Sequence, residues 1–539
     1  MYLLKVFAFF LCSSIFLTAY AQLESDSISA MPQVTVESNR LNNFALGSKI
    51  QRIDSLAIQN LSSNNLGDLL SQHTSLFVKA YGAGQMSTIS SRGTGASQTA
   101  ILWNGFNLQG PTLGQSDFST IPVNFLDKVN VQYGGSSALF GSGAVGGVIH
   151  LNNDPSFDKG HSLHLSGIAG SYKNIYTGIN YQISKRRFIS NVRYFNTYGK
   201  NDFKISKLYE RKQYNAEVDQ EGVLVENYYK INDNQTINLR VWLQDILREV
   251  PSENEKQIAQ TQNKFLRISS EWKKSGPKVS YFVRSAYFNE QLNYKDGLSY
   301  LTKFQTSITE TESKVKVREN QSLNVGLNNT YNEATNKNYV IPRQQNRTAL
   351  FGSYLVRNFI PNWNGSLNIR QEIVGKRPVP FIPSFGVTGI IINGLSIRAN
   401  VSRNYRLPTF NDLYWQPGGN VDLKPELGWS QDLGISARTT AGIFKPELNV
   451  TFFNSNINNY IIWLPGADWW TPMNVQSVWS RGIENTFNVR ADIDKLRIDL
   501  SLNYTYTLST NQKSTSSNDG SLKKQLIYVP IYTGHGQFA

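Results

Sequence analysis

Cysteine is nearly missing from this chain: its 539 residues hold one, Cys12, and five histidines. Cys12 lies within an apolar run, Val6 to Leu17, that follows Lys5 and leads to Ala19-Tyr20-Ala21, which offers small residues at the two positions a signal peptidase reads. Residues 1–21 therefore read as a signal peptide. Cleavage before Gln22 leaves a mature chain without cysteine, which excludes disulfides, thiolate metal sites and a cysteine nucleophile together. With Cys12 upstream of the cleavage point, a lipoprotein anchor is not expected. No later apolar stretch rivals the first, so the protein is expected to be exported without a helical anchor. Pro- or Ser-rich linkers between compact units are also lacking. G-x-S-x-G, Walker A and H-E-x-x-H do not occur, and His161 and His164, three apart on a strand, point to opposite faces. Neither an enzyme, nor a cofactor, nor a histidine metal cluster is expected.

One motif does occur. In Ser137 to Leu151, SALFGSGAVGGVIHL, the residues Gly141, Gly143 and Gly146 satisfy G-x-G-x-x-G. A dinucleotide site needs that pattern after a strand and at the start of a helix, where backbone amides face the pyrophosphate. Here the β-branched stretch Val145 to Leu151 follows the glycines and breaks at Asn152-Asn153-Asp154-Pro155. The order is wrong for phosphate, and another reason for the glycines is needed.

What the chain has in excess is aromatic: 28 Phe, 27 Tyr and 10 Trp against 40% hydrophobic residues overall. That balance suits a protein with one apolar outer band, aromatic girdles and a polar interior. The net charge of +14 is scattered rather than clustered, which favours anionic headgroups or ligands over nucleic acid. From about His161 onward one theme repeats. In Thr236 to Gln244, TINLRVWLQ, the residues Ile237, Leu239, Val241 and Leu243 share one face, while Asn238, Arg240, Trp242 and Gln244 share the other. Such segments are joined alternately by tight turns, as at Lys185-Arg186, and long polar loops, as at Asp245 to Gln262. A soluble propeller also alternates, but the leader, the aromatic excess and the missing internal repeat favour an outer-membrane barrel.

Residues 37–153 differ from the rest. A helix is expected in Asn64 to Gln72, NNLGDLLSQ, and short strands at Thr99–Trp103 and Lys128–Gln132, separated by glycine loops. This part reads as a small α+β unit. Five stretches in it occur in a telling order: Leu66-Gly-Asp-Leu-Leu70, Ser91-Arg92-Gly93, Leu102-Trp-Asn-Gly105, Asp117-Phe-Ser-Thr-Ile-Pro122 and the glycine stretch above. The later chain adds Arg406-Leu-Pro-Thr-Phe-Asn-Asp-Leu-Tyr414, Gly419-Asn-Val-Asp-Leu-Lys-Pro-Glu426 and Arg481-Gly-Ile-Glu484. Together they resemble the TonB-dependent receptors of Gram-negative outer membranes. The resemblance departs from the family pattern at Asn104, where Asp is usual, and at Asn130-Val131, where Glu-Val is usual.

The resemblance implies an all-β transmembrane barrel of the 22-stranded type over residues 160–539, with the plug of residues 37–153 inside its lumen. It implies energy-coupled import of a scarce bulky ligand. Arg92, Gly93, Gly141, Gly143, Gly146 and Gly147 become structural residues of the plug, with Arg92 expected to form a buried ion pair with a barrel carboxylate. Pro32-Gln-Val-Thr-Val36, within the N-terminal segment 22–36, resembles the box that pairs as a strand with the periplasmic TonB protein through Val34, Thr35 and Val36. Gly82-Ala-Gly-Gln-Met-Ser-Thr-Ile89 looks most like the plug of cobalamin receptors, which implies that Gln85, Met86 and Ser87 touch ligand, with Leu113, Gly114 and Gln115 on the next loop. Cobalamin is thus the first substrate, a ferric siderophore or haem the second, and a passive porin the reading from another class. Asp202, Glu217, Asp219 and Glu221 form at most a loose calcium candidate. Outer-membrane lipid is the other partner, and the resemblance leaves open whether a surface lipoprotein takes part.

At spanning strands of about 9–11 residues, residues 160–539 supply only about 18 or 19 strands, so a fragment lacking on the order of 80 residues is expected. Such a barrel should show a gap between its strand near His161 and its last strand before Ala539. Replacing Val34 or Val36 with proline removes an amide that an added strand must donate. Uptake by whole cells should then be lost while ligand binding at the surface is kept, and unchanged uptake would refute the energy-coupling box.

Overall fold

The computed structural model describes residues 40–205, 212–252, 256, 258–466, 468–493, 496–513 and 520–538. The leader and the Val34–Val36 box lie outside the described residues. Residues 41–154 and 300–539 make one compact unit, and residues 155–299 belong to another. No described helix is long and apolar enough to cross a membrane.

After a helical turn at Arg40–Phe44 come β1 (Lys49–Arg52), α1 (Ser55–Asn60) and α2 (Leu66–His73). The Asn65 side chain accepts the Asp68 amide at 3.1 Å and so caps α2, while Leu66, Leu69 and Leu70, at one helical spacing, are fully buried. Then come the antiparallel pair β2 (Phe77–Ala80) and β3 (Ser87–Ser90), β4 (Thr99–Trp103), β5 (Phe106–Asn107), β6 (Lys128–Tyr133) and β7 (Gly147–Asn152). The five-stranded plug sheet runs β1-β6-β7-β4-β5, and its one parallel pair is β4 with β7. Asn104 and Gly105 turn β4 into β5 with φ of +48° and +90°, the left-handed pair a tight hairpin needs. Asn104 also exchanges hydrogen bonds with Asn153: its Nδ2 donates to Asn153 Oδ1 at 3.1 Å and its Oδ1 accepts the Asn153 amide at 3.0 Å. An amide serves both directions, which accounts for asparagine at this departure from the family pattern.

The glycine stretch has its reason here. Gly141 and Gly143 take φ of +85° and +88° just after the short helix α3 (Ser137–Phe140). A β-carbon on Gly147 would stand 2.8 Å from the Gln132 carbonyl oxygen, and one on Gly146 would stand 2.1 Å from Thr94 Oγ1. The backbone there is packed against neighbouring protein.

The described strands after the plug, β8 to β26, pair antiparallel within each unit. In the 155–299 unit β8 (Gly160–Ala169), β9 (Ile175–Ser184), β10 (Phe188–Gly199), β11 (Val218–Asn232), β12 (Gln235–Glu249), β13 (Ala259–Lys274) and β14 (Val279–Asp296) pair in sequence. The other unit carries the strands from β15 (Leu298–Arg318) onward, among them β21 (Leu395–Arg406), β22 (Glu426–Arg438), β23 (Phe444–Pro465), β24 (Trp470–Ile493), β25 (Leu496–Asn511) and β26 (Tyr532–Phe538). In β12, Asn238, Arg240, Trp242 and Gln244 are buried while Ile237 and Leu239 stand exposed, so the polar phase of the alternation is the inner one. Connections alternate too: 233–234, 319–320, 361–362 and 393–394 are tight, whereas 200–217, 407–425 and 512–531 are long.

Among the described residues nineteen strands follow the plug, where the resemblance implied 22 and the chain length about 18 or 19, and one of them, β19, is only the pair Arg377–Pro378.

His150 on β7 is buried, its Nε2 3.3 Å from Gln132 Oε1 and its ring edge-on to Phe140. Burial pushes its pKa down to about 3. The unfolded plug takes up this proton near the ordinary value of 6.5, so the stability is complete above that pH and is lost as pH falls toward 3, by at most about 1.4 kcal/mol per unit. The urea midpoint of plug unfolding should therefore drop between pH 7 and pH 5, and His150→Leu should flatten that slope.

Candidate functional site

The outer end of the plug is built by two loops. The β2–β3 hairpin turns through Gly82 to Met86, closed by the Tyr81 amide on the Met86 carbonyl at 3.1 Å and the Gln85 amide on the Gly82 carbonyl at 3.1 Å. The second loop, 110–115, rests under the barrel: the Phe410 amide donates to the Pro111 carbonyl at 2.8 Å and the Asn411 amide to the Thr112 carbonyl at 3.2 Å. Phe410 opens α4 (Phe410–Tyr414), whose cap is a reciprocal pair between Thr409 and Asp412. This helix lies in the long connection between β21 and β22, so both plug loops stand at the long-loop end of the strands.

Of the six residues expected to touch ligand, the fold brings two to one cavity. Met86 and Gln115 line a space of about 260 Å³ with Lys79, Tyr81, Tyr460 and Tyr528. Leu113 is exposed nearby in sequence, on the second loop. Gln85 is buried, and Ser87 turns into the plug, where its amide donates to Asp117 Oδ1 at 3.0 Å and its Oγ lies where a β-carbon on Gly67 would fall. Gly114, at φ +68°, is pressed against Thr409. The alternation of a hairpin sends consecutive side chains to opposite sides, so Met86 and Ser87 cannot both face one ligand.

Deeper in, the plug is joined to the wall by charge. Arg92, in the left-handed region at φ +52°, extends from the turn after β3. Its Nη1 lies 2.6 Å from Asp432 Oδ1 on β22, its Nε 2.9 Å from Glu484 Oε1 and its Nη2 3.1 Å from Glu484 Oε2 on β24. Lys49 Nζ reaches the same Glu484 carboxylate at 3.1 Å. Burial alone would lower the pKa of Arg92, but Asp432 and Glu484 hold it above its ordinary value. For Lys49 burial prevails over Glu484, and its pKa is lowered. Gly93 sits so close to β25 that an added β-carbon would stand 2.6 Å from Ser509 Cβ, and Ser509 Oγ donates to the Gly93 carbonyl at 3.0 Å. A second junction lies nearer the long-loop end. Gln98 donates to Glu426 Oε2 at 2.6 Å, Arg406 Nη2 to Glu426 Oε1 at 2.7 Å, and Trp463 Nε1 to Asp412 Oδ1 at 2.9 Å.

Among the described residues no group of three His, Cys, Asp or Glu is placed to hold a metal ion. Asp202 of the loose calcium candidate is paired with Lys200 at 3.2 Å, and Asp219 and Glu221 lie on β11.

A plug of this kind, tied by ion pairs to a strand wall, has known counterparts. The family described as TonB dependent receptor-like, beta-barrel, matches residues 59–535. The chain belongs to the TonB-dependent receptors. These are outer-membrane receptors and transporters, not enzymes, which bind a small-molecule ligand and interact with TonB. The vitamin B12 transporter BtuB of Photobacterium profundum is 24% identical over 488 residues, 87% of this chain and 76% of that one. BtuB of Vibrio vulnificus is 21% identical over 497 residues, 87% of this chain and 77% of that one. In fold, the siderophore receptor PirA of Acinetobacter baumannii gives a TM-score of 0.75 at 14% identity over 94% of this chain and 85% of its own. The hemophore receptor HasR of Serratia marcescens, solved with its hemophore HasA and heme, gives 0.77 at 13% identity over 93% and 90%.

Sequence reasoning on this receptor missed Lys49, Lys79, Asp432, Tyr460 and Tyr528. It quoted Arg406, Asp412, Glu426 and Glu484 within family landmarks without giving them a role. The available signal was a charge in the inward phase of an alternating strand, where only a partner inside the lumen makes it tolerable. Arg92→Leu leaves two buried carboxylates with one buried lysine among them and should destabilise the seated plug by about 3–5 kcal/mol. Limited proteolysis should then cut the plug while the barrel keeps its heat-modifiable mobility in gels, and an equally protected plug would refute the clamp.

Proposed function

We propose that this receptor imports cobalamin across the outer membrane, binding it at the long-loop end and releasing it inward when TonB pulls on Val34 to Val36. The observation that carries the reading is the match to vitamin B12 transporters along most of the chain. The siderophore and hemophore receptors agree in fold alone, at an identity too low to speak for a ligand. Met86 and Gln115, which line the same outer cavity, support the reading, since a corrinoid offers both apolar ring edges and amide groups. Leu113 supplies a further apolar contact at the rim, while Gln85, Ser87 and Gly114 shape the loops beneath. A ligand held tightly on one side needs work to leave on the other, and a plug clamped by ion pairs needs an energy source to move. A ferric siderophore or haem is the second reading, for which the net positive charge speaks.

Titration of the purified full-length receptor with cyanocobalamin, with haem and with a ferric siderophore separates the readings. Cyanocobalamin should bind tightest, and Met86→Ala with Gln115→Ala should weaken it by about 1–3 kcal/mol through lost contact and unsatisfied partners. Tight binding of an iron chelate with none of cyanocobalamin would replace the first reading by the second.

A further inference from the structure

The outer cavity has properties that corrinoid ring contact leaves unused. Its volume, about 260 Å³, is below the range of pockets that enclose a whole drug-sized ligand, so it can hold one limb of a bulky cargo and not its body. Among the described residues that line it, Lys79 carries the one formal charge. No described carboxylate pairs with it. Instead the Lys79 ammonium lies 3.5 Å from the centre of the Tyr528 ring and 4.8 Å from that of Tyr81, an aromatic sandwich around a cation.

Tyr528 is an unusual lid for that cation. It belongs to the long connection between β25 and β26, in a turn anchored by the Leu526 amide on the Ser509 carbonyl at 2.8 Å and by the Thr507 amide on the Ile531 carbonyl at 2.8 Å. Between these anchors Tyr528 takes φ of +59°, a left-handed conformation costly for a bulky residue. Ile527 and Tyr528 are 78% and 70% exposed, so little burial holds the tip of the turn down. Below it, a narrower cleft that shares Phe77, Ser90, Gly93 and Val529 with the cavity continues to Arg92 and Glu484. The cavity thus leads from the outer loops toward the clamp that seats the plug.

We propose that this cavity is a binding station for an anionic, oxygen-bearing limb of the cargo, which takes Lys79 from Tyr528 and swings the Leu526–Val529 turn aside. A ring over an ammonium is a weak, sequence-neutral hold, whereas an oxyanion makes a charge-assisted hydrogen bond, so the exchange runs toward the anion. The strained φ of Tyr528 is relieved when the turn opens. The inference rests on the reading of this protein as an importer but not on cobalamin being the cargo, because a corrinoid phosphodiester and an iron tris-catecholate both carry such a limb.

Three probes and four variants test it on the full-length receptor. The probes are cyanocobalamin, dicyanocobinamide, which lacks the phosphodiester limb, and a trianionic ferric tris-catecholate. Lys79→Gln should weaken the anionic probe that the wild type binds by about tenfold and leave dicyanocobinamide unchanged, and Lys79→Arg should restore most of the loss. Tyr528→Ala should tighten that anionic probe by about threefold, because no stacking has to be broken, and Tyr528→Phe should match the wild type. A gain of binding cannot come from a misfolded variant. Equal affinity of wild type and Lys79→Gln for the bound anionic probe, or an equal loss for dicyanocobinamide, overturns the station. If the tris-catecholate binds in a Lys79-dependent way and cyanocobalamin does not bind, the cobalamin reading falls and the station stands. Binding of neither anionic probe overturns both.

Discussion

A guanidinium sealed between two parts of a protein has to meet carboxylates there, and the seating of this plug depends on that requirement at Arg92. Asp432 and Glu484 approach it from β22 and β24, the strands on either side of β23, and Lys49 joins from the plug's own first strand. Five planar donors in a fixed fork accept few arrangements of two carboxylates, so the cluster sets rotation and depth of the plug against β22 and β24 as well as holding it. The cluster acts more through specificity of seating than through cohesion, since ion pairs of this kind often add little net stability over apolar residues of the same shape.

The rest of the junction follows from the polar inner phase of the strands. Where an ordinary domain would meet its neighbour through apolar side chains, this plug meets the wall largely through hydrogen bonds. Asn404 accepts the Ser137 amide, Ser402 donates to the Gly135 carbonyl, and Asn368 donates to the Phe44 carbonyl. The apolar exceptions are two local clusters, Leu41, Phe44, Ala45 and Leu139 against Leu355, and Ala138 against Ile382 and Tyr405. Groups joined this way are satisfied by water when separated, so the plug can move without exposing a large apolar face. A junction of high specificity and modest cohesion is what a transporter needs if a pull from the periplasm is to remodel it.

Much of this was readable before any coordinates. The alternation in TINLRVWLQ predicts a strand with one polar face, and the strand is there with that face inward. The stretch NNLGDLLSQ predicts a helix, and α2 stands there, with Asn65 as the cap that the structure adds. The landmark stretches held four of the wall residues that meet the plug or its loops, yet nothing local reveals that Glu484 faces Arg92, 392 positions earlier in the chain. At the two plug loops a motif says which loop is exposed and not which side of a hairpin each residue takes. Ser87, one residue after Met86, points the other way for that reason alone.

The sequence by itself determined the class of the molecule: strands of period two with an apolar face and a polar face, and an α+β unit before them. These rest on local quantities, on which residue follows which and with what periodicity. The pairing register was decided only by tertiary structure, since the stagger between strands is not written in any one of them. So was the meeting of Lys79, Tyr460 and Tyr528 around one cavity, because side chains so far apart in sequence become neighbours only when the plug is seated, and it is the buried charge at Arg92 that says where.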